Sequence, residues 1–187
     1  MRKKRILYVL LLVLAVFLTR QFSKIPEKPE VIKPYAHKPE EGIYYKVLKV
    51  HDGDTVTIDI SGRKEKIRLI GIDTPEMGQR PWGKKARDHI EGILSNYGGN
   101  VSLESDVEKR DRYGRLLAYL WTEDGRLINR MMVEDGYAVL LTIPPNVKHV
   151  EELKDAQRKA REGGLGIWGD GGLKESPVSY RKRQSRR

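Results

Sequence analysis

At 187 residues the chain has room for one ordinary domain with tails. Charged residues make up 33% and hydrophobic residues 39%, which excludes a polytopic membrane protein; 36 Lys and Arg against 26 Asp and Glu leave a net charge of +10. Cysteine is absent, which removes disulfide scaffolds, cysteine nucleophiles, thiolate zinc sites and iron–sulfur clusters, and four histidines without an HExxH pattern argue against a histidine-rich metal site.

The excess charge sits at the ends. Residues 1–42 hold 9 basic and 4 acidic side chains, residues 171–187 hold 6 and 1, and residues 43–170 hold 21 of each. The net charge therefore does not by itself argue that the folded part grips nucleic acid. MRKKR is followed by an unbroken apolar run, Ile6 to Leu18. A basic flank before a short apolar stretch is a secretory signal pattern. As a helix this N-terminal hydrophobic segment spans roughly 20 Å, against ~30 Å for a hydrocarbon core. No A-x-A spacing follows, which favours an uncleaved signal anchor over residues 1–20 to a removed signal peptide. The positive-inside rule then puts the remainder outside the cytoplasm, membrane-anchored, or secreted if the segment is cleaved. Residues 21–42, with Pro26, Pro29, Pro34 and Pro39 among Lys and Glu, read as a stiff, solvated linker.

Residues 43–170 carry the folded domain. Tyr45 to Val50 reads as a strand, and Thr55 to Ile60 as a second with Val56, Ile58 and Ile60 at period two. SGRK is a turn before a third strand around Lys66 to Ile72. Trp82, Ala86, Ile90, Ile93 and Leu94 fall at helical spacing. NVSLESD and GRLLAYLW read as two further strands. Leu127, Ile128, Met131 and Met132 mark a second helix ending near Gly136; Val150, Leu153, Ala156 and Ala160 mark a third, stopped by Gly163 and Gly164. The fold class is α+β, mainly β: five strands with a helix after the third suggest a five-stranded barrel of the oligonucleotide/oligosaccharide-binding (OB) type with three packed helices, an order that other α+β folds also accommodate. Residues 171–187, ending SYRKRQSRR, are expected to be a basic disordered tail.

Three motifs carry polar groups suited to chemistry, and each alone has an ordinary structural reading. HDGDT (51–55) can be a hairpin turn, IDTPE (72–76) a helix start, and DRYGR (111–115) a charged turn. Geometry joins the first two. If strands two and three pair around SGRK, opposed residues sum to about 125, so Asp54 faces Gly71 and Asp73 lies just beyond at the same open end. Two carboxylates brought together call for a proton or a cation, and oxygen-only ligands suit Ca²⁺ before Mg²⁺ in an irregular, wet site. Glu76 is placed to hold a water as general base. Arginine supplies the donors that phosphate chemistry needs. Arg68 counts out opposite Thr57, ~16 Å along a straight strand from Asp73, so only strong curvature brings it to the site. Arg115 lies beside another strand mouth.

These pieces together resemble the staphylococcal nuclease (thermonuclease) family. The matching stretches are VHDGDT (50–55), IRLIGIDTPE (67–76), WGKKAR (82–87), DRYGRLLAYLW (111–121), INRMMVEDGYA (128–138) and GIW (166–168), in the family's order. The resemblance implies a five-stranded barrel with three helices and a Ca²⁺-dependent endonuclease that cuts DNA and RNA with little sequence choice, leaving 3′-phosphate ends. It puts calcium on Asp54, Asp73 and the Thr74 carbonyl, the general base on Glu76, and the phosphate-binding arginines on Arg68 and Arg115. Tyr113 matches a residue that contacts the sugar-phosphate, and Lys109, Arg110 and Arg112 are candidates to guide the strand by charge. Two departures are visible: the loop after Glu76 is short (MGQRP), and VLLTIPPN after Ala138 lacks the tyrosines that frame the family's base pocket. The competing class is a non-catalytic nucleic-acid-binding module tethered at the cell surface, since barrels of this kind often hold single strands. Degenerate nuclease-like domains have lost the carboxylates and arginines that this chain keeps. A monomer is expected, with no protein partner.

Overall fold

A computed structural model of the chain describes residues 42–186. The apolar run Ile6 to Leu18 and the linker 21–42 up to Glu41 lie outside the described residues. Among the described residues no helix is long and apolar enough to cross a membrane.

The strands are β1 (Tyr45–Val50), β2 (Thr55–Ile60), β3 (Arg63–Leu69), β4 (Gly71–Asp73), β5 (Asn100–Glu104), β6 (Leu116–Trp121) and β7 (Val139–Leu141). The helices are α1 (Trp82–Asn96), α2 (Ile128–Glu134), α3 (Val150–Glu162) and α4 (Pro177–Gln184), with a 3₁₀ turn at Gly166–Trp168. Five strands close a barrel in the order β1-β2-β3-β6-β5, the parallel β3–β6 pair completing it, as the OB-type reading expects. The inward residues of β2 and β3, Val56, Ile58, Ile67 and Leu69, are fully buried. They share one core with Ile90 of α1, Met132 of α2 and Leu153 of α3. α1 to α3 are the three helices that the apolar spacing predicts.

Two local features correct the expected strand register. The β2–β3 turn uses only Ser61 and Gly62, both at positive φ (52° and 81°), with Ile60 paired to Arg63. That is a two-residue type I′ turn, whose twist matches that of the strands, so Arg63 and Lys64 belong to β3 rather than to the turn. Arg68 thus pairs with Thr55, next to Asp54, and the Leu69 amide donates to the Asp54 carbonyl at 2.9 Å. The predicted third strand also breaks at Ile70. Gly71 has φ 80°, and a Cβ there would stand 2.6 Å from Leu153 Cδ1, so the chain swings out of the barrel and β4 pairs with β7. β7 lies in VLLTIPPN, outside the five strands that the sequence pattern predicts. Asn129, wholly buried on α2, clasps this bend: its amide donates to the Ile70 carbonyl at 2.8 Å and accepts from the Leu120 amide at 2.9 Å.

A second departure concerns the tail, expected to be disordered. Residues 177–184 form α4, capped by the Ser176 side chain accepting from the Ser179 amide, with Pro177 in the first turn. Its first residue is buried, and its basic face meets acidic groups of the barrel.

Away from the barrel mouth, His149 lies between Glu104 (2.9 Å) and Glu152 (3.2 Å), and Trp121 Nε1 also donates to Glu104 at 2.8 Å. Burial disfavours both charges, but the hydrogen bonds outweigh it. They raise His149 from 6.5 to about 9 and, with His149 and Lys148 donating, lower Glu104 from 4.5 to about 2. The histidine's contribution to stability is whole below pH 6.5 and is lost as pH rises through 9. The glutamate's is whole above pH 4.5 and is lost as pH falls through 2. His149→Gln should therefore lower the thermal midpoint by roughly 5 °C between these limits and by much less above pH 9. Calorimetry across pH checks this; an equal loss at every pH would assign His149 a packing role alone.

Candidate active site

The mouth of the barrel beside the β1–β2 turn gathers the predicted acids. Asp54 is buried, and its Oδ2 accepts from the Thr74 amide and the Thr74 hydroxyl, each at 3.0 Å. Its Oδ1 accepts from the Thr55 hydroxyl at 3.1 Å and faces Arg68 Nε at 3.1 Å. Arg68 Nη2 lies 3.4 Å from Asp73 Oδ1, and Nη1 donates to the Leu69 carbonyl. The bend at Ile70–Gly71 thus does what a straight strand cannot, returning Asp73 to the arginine five positions earlier.

Asp73 is fully buried; burial raises its pKa, against the pull of nearby Arg181 and Arg68. Glu76, more exposed, has its amide held by Gln79 Oε1 at 2.9 Å. Arg115 donates from Nε to Asp111 at 2.7 Å, and its Nη1 reaches the Thr55 hydroxyl at 3.4 Å. Through Thr55 it joins the Asp54 network. Tyr113 is 69% exposed on the outer lip, with the guanidiniums of Arg112 and Arg115 at 4.9 and 5.7 Å from its ring. Of the basic residues expected to guide a strand, Arg110 is engaged by Glu65 at 3.1 Å and by the Gly114 carbonyl, and Lys109 by the Asp106 carbonyl at 2.8 Å. Arg112 remains on the lip.

Sequence reasoning missed several members. Burial and the Asp54 charge push Asp52 up to about 6; its Oδ1 accepts from the Asp54 amide at 3.1 Å. HDGDT displays it, but as a turn residue. Asp111 orients Arg115. Arg181 is the largest omission. Its Nη1 and Nη2 grip Asp73 at 3.0 and 2.9 Å, and Nη1 also donates to Glu76 at 2.6 Å. It lies 108 positions from Asp73, with only a basic run to announce it.

A metal-ion fit rests on donor chemistry. The two buried carboxylates offer oxygen ligands only, and a cationic guanidinium is already drawn to Asp73 and Glu76. Among the described residues no three His, Cys, Asp or Glu side chains by themselves could hold an ion. An ion here would need backbone carbonyl and water as well, which suits a hard cation.

A closed five-stranded barrel whose mouth joins buried acids to arginines is the frame of a phosphodiester hydrolase. The chain belongs to the staphylococcal nuclease family: the model described as "Staphylococcal nuclease homologue" matches residues 66–170. It is 40% identical over 132 residues to the thermonuclease of Staphylococcus intermedius, covering 68% of this chain and 77% of that protein. It is 38% identical over 129 residues to the thermonuclease of Staphylococcus hyicus, covering 66% and 75%. Endonuclease YncB of Bacillus subtilis (strain 168) is 31% identical over 128 residues, covering 65% and 59%.

Proposed function

We propose that the chain is a calcium-dependent nuclease that hydrolyses DNA and RNA with low sequence specificity, leaving 3′-phosphate ends. The observation that carries this reading is the continuous polar network linking Arg115, Thr55, Asp54, Arg68 and Asp73 at one strand mouth, with Glu76 beside it. Asp54, Asp73 and the Thr74 carbonyl would hold the ion. When bound, the ion supplies Lewis acidity to a phosphate oxygen. Glu76 orients a water for in-line attack on phosphorus and accepts its proton. Arg68 and Arg115 donate to the phosphoryl oxygens as charge accumulates there. The bond from phosphorus to the 5′-oxygen breaks, the phosphate stays on the 3′-oxygen, and the 5′-oxygen takes a proton from solvent water. Tyr113 and Arg112, on the lip, meet the sugar-phosphate chain before the site.

Chelation tests the metal. Release of acid-soluble nucleotides by the full-length chain should fall to background in EGTA and return with calcium; equal release in both would defeat the assignment. Tight nucleic-acid binding without cleavage in calcium would instead support a binding module. We place the domain outside the cytoplasm as a monomer, anchored by Ile6 to Leu18 or released if that segment is cleaved; the basic flank before a short apolar run supports export, and the lack of an A-x-A spacing after it supports the anchor. Assaying membrane and medium fractions separately tests it.

A further inference from the structure

α4 is docked against the site rather than resting on the surface. Gln79 bridges the Glu76 amide, at 2.9 Å, to the Glu175 carbonyl, at 2.8 Å. Tyr180 packs so closely over Gly78 that a Cβ there would stand 2.2 Å from its hydroxyl. Arg183 pairs back to Glu175 at 2.9 Å, tying the helix to the segment that leads into it. These contacts deliver the Arg181 guanidinium to Asp73, whose side chain is 1% exposed, and to Glu76.

Two of the acids assigned to catalysis are therefore occupied by a cation that the chain itself supplies. Asp73 offers both its oxygens to Arg181, and a single nitrogen of that guanidinium also takes Glu76. A carboxylate with both oxygens so engaged has fewer lone pairs for an ion, and one oxygen of Glu76 is already taken by the same guanidinium. Arg181 itself is 44% exposed, and most of α4 faces solvent, so the segment can lift without opening the barrel core.

Resting on the metal-dependent reading above, we propose that α4 is an intrasteric plug whose Arg181 guanidinium stands in for the catalytic cation. Calcium and Arg181 then exclude each other at Asp73. The chain is closed until ion binding lifts the helix, and the apparent calcium affinity is reduced by the fraction of molecules in the closed state.

Isothermal titration of calcium into the full-length chain, in non-ionic detergent, tests this. Arg181→Ala, and a chain stopped after Leu173, should each bind calcium about tenfold more tightly than the parent. Lys182→Ala removes the same charge from an exposed neighbour and should change affinity by less than about twofold. In the parent, saturating calcium should also speed hydrogen exchange at the Tyr180 and Ser185 amides, which bond to the Ser176 and Arg181 carbonyls. Equal affinity in the parent and Arg181→Ala, or weaker binding in the variant, would overturn the plug while leaving the nuclease reading intact. An equal gain in Lys182→Ala would reduce the effect to general charge and overturn it too. Absence of calcium binding in every variant would overturn the metal reading itself, and the plug with it.

Discussion

Glu76→Gln is expected to slow nucleotide release by about 10²–10⁴-fold, the usual worth of a positioned general base. Glutamine keeps the shape and an acceptor oxygen for Arg181, and the Glu76 side chain is 37% exposed, so the thermal midpoint should hardly move. Calcium binding should largely survive, because Asp54 and Asp73 are untouched. The combination of lost turnover, retained fold and retained ion binding separates a base from a ligand. Turnover equal to that of the parent would remove Glu76 from the mechanism.

The two arginines should differ in what their loss does. Arg68 is 14% exposed and is the cation shared by two buried carboxylates. Arg68→Ala leaves Asp54 without its guanidinium partner, and truncating one partner of a buried pair costs about 3–5 kcal/mol. Activity and stability should therefore fall together. Arg115 is 26% exposed and its partner Asp111 remains within reach of backbone amides, from Tyr113 at 2.9 Å and from Arg115 itself at 3.0 Å. Arg115→Ala should cost only about 1 kcal/mol of stability, yet lower turnover about 10²–10³-fold if its donors meet the phosphoryl oxygens. Urea unfolding and steady-state turnover on both variants check the contrast. Full activity in folded Arg115→Ala would take that residue out of the phosphate site.

Much of this fold is legible in the amino-acid order. Alternation in TVTIDI and the helical spacing of Trp82, Ala86, Ile90 and Leu94 reveal one-sided burial, because a half-buried strand or helix cannot be stable otherwise. The acids and arginines announce themselves as turn-like motifs at strand ends. What the order conceals is how much chain each turn consumes. Reading all of SGRK as the turn displaces Arg68 from Thr55 to Thr57, whereas the strand twist favours the tighter Ser61–Gly62 turn. The bend at Gly71 is equally hidden, since KIRLIGI reads as one unbroken strand. Arg181 is hidden for another reason. α4 has no apolar stripe, and its order comes from a cap, a first-turn proline and contacts with groups far away in sequence. A basic run judged by composition alone shows none of these.

The clasp at Asn129 has a bearing on how importance is to be judged in this protein. Through one side chain it joins the first turn of a helix to barrel strand β6 and to the bend at Ile70, the corner from which Asp73 is hung, in a place no substrate can touch. A survey that ranks positions only by damage on replacement would score this amide beside the carboxylates themselves. What a buried side chain touches, rather than the severity of its loss, tells the scaffold from the chemistry: Asp73 is as buried as Asn129 but meets Arg68 and Arg181 at the barrel mouth.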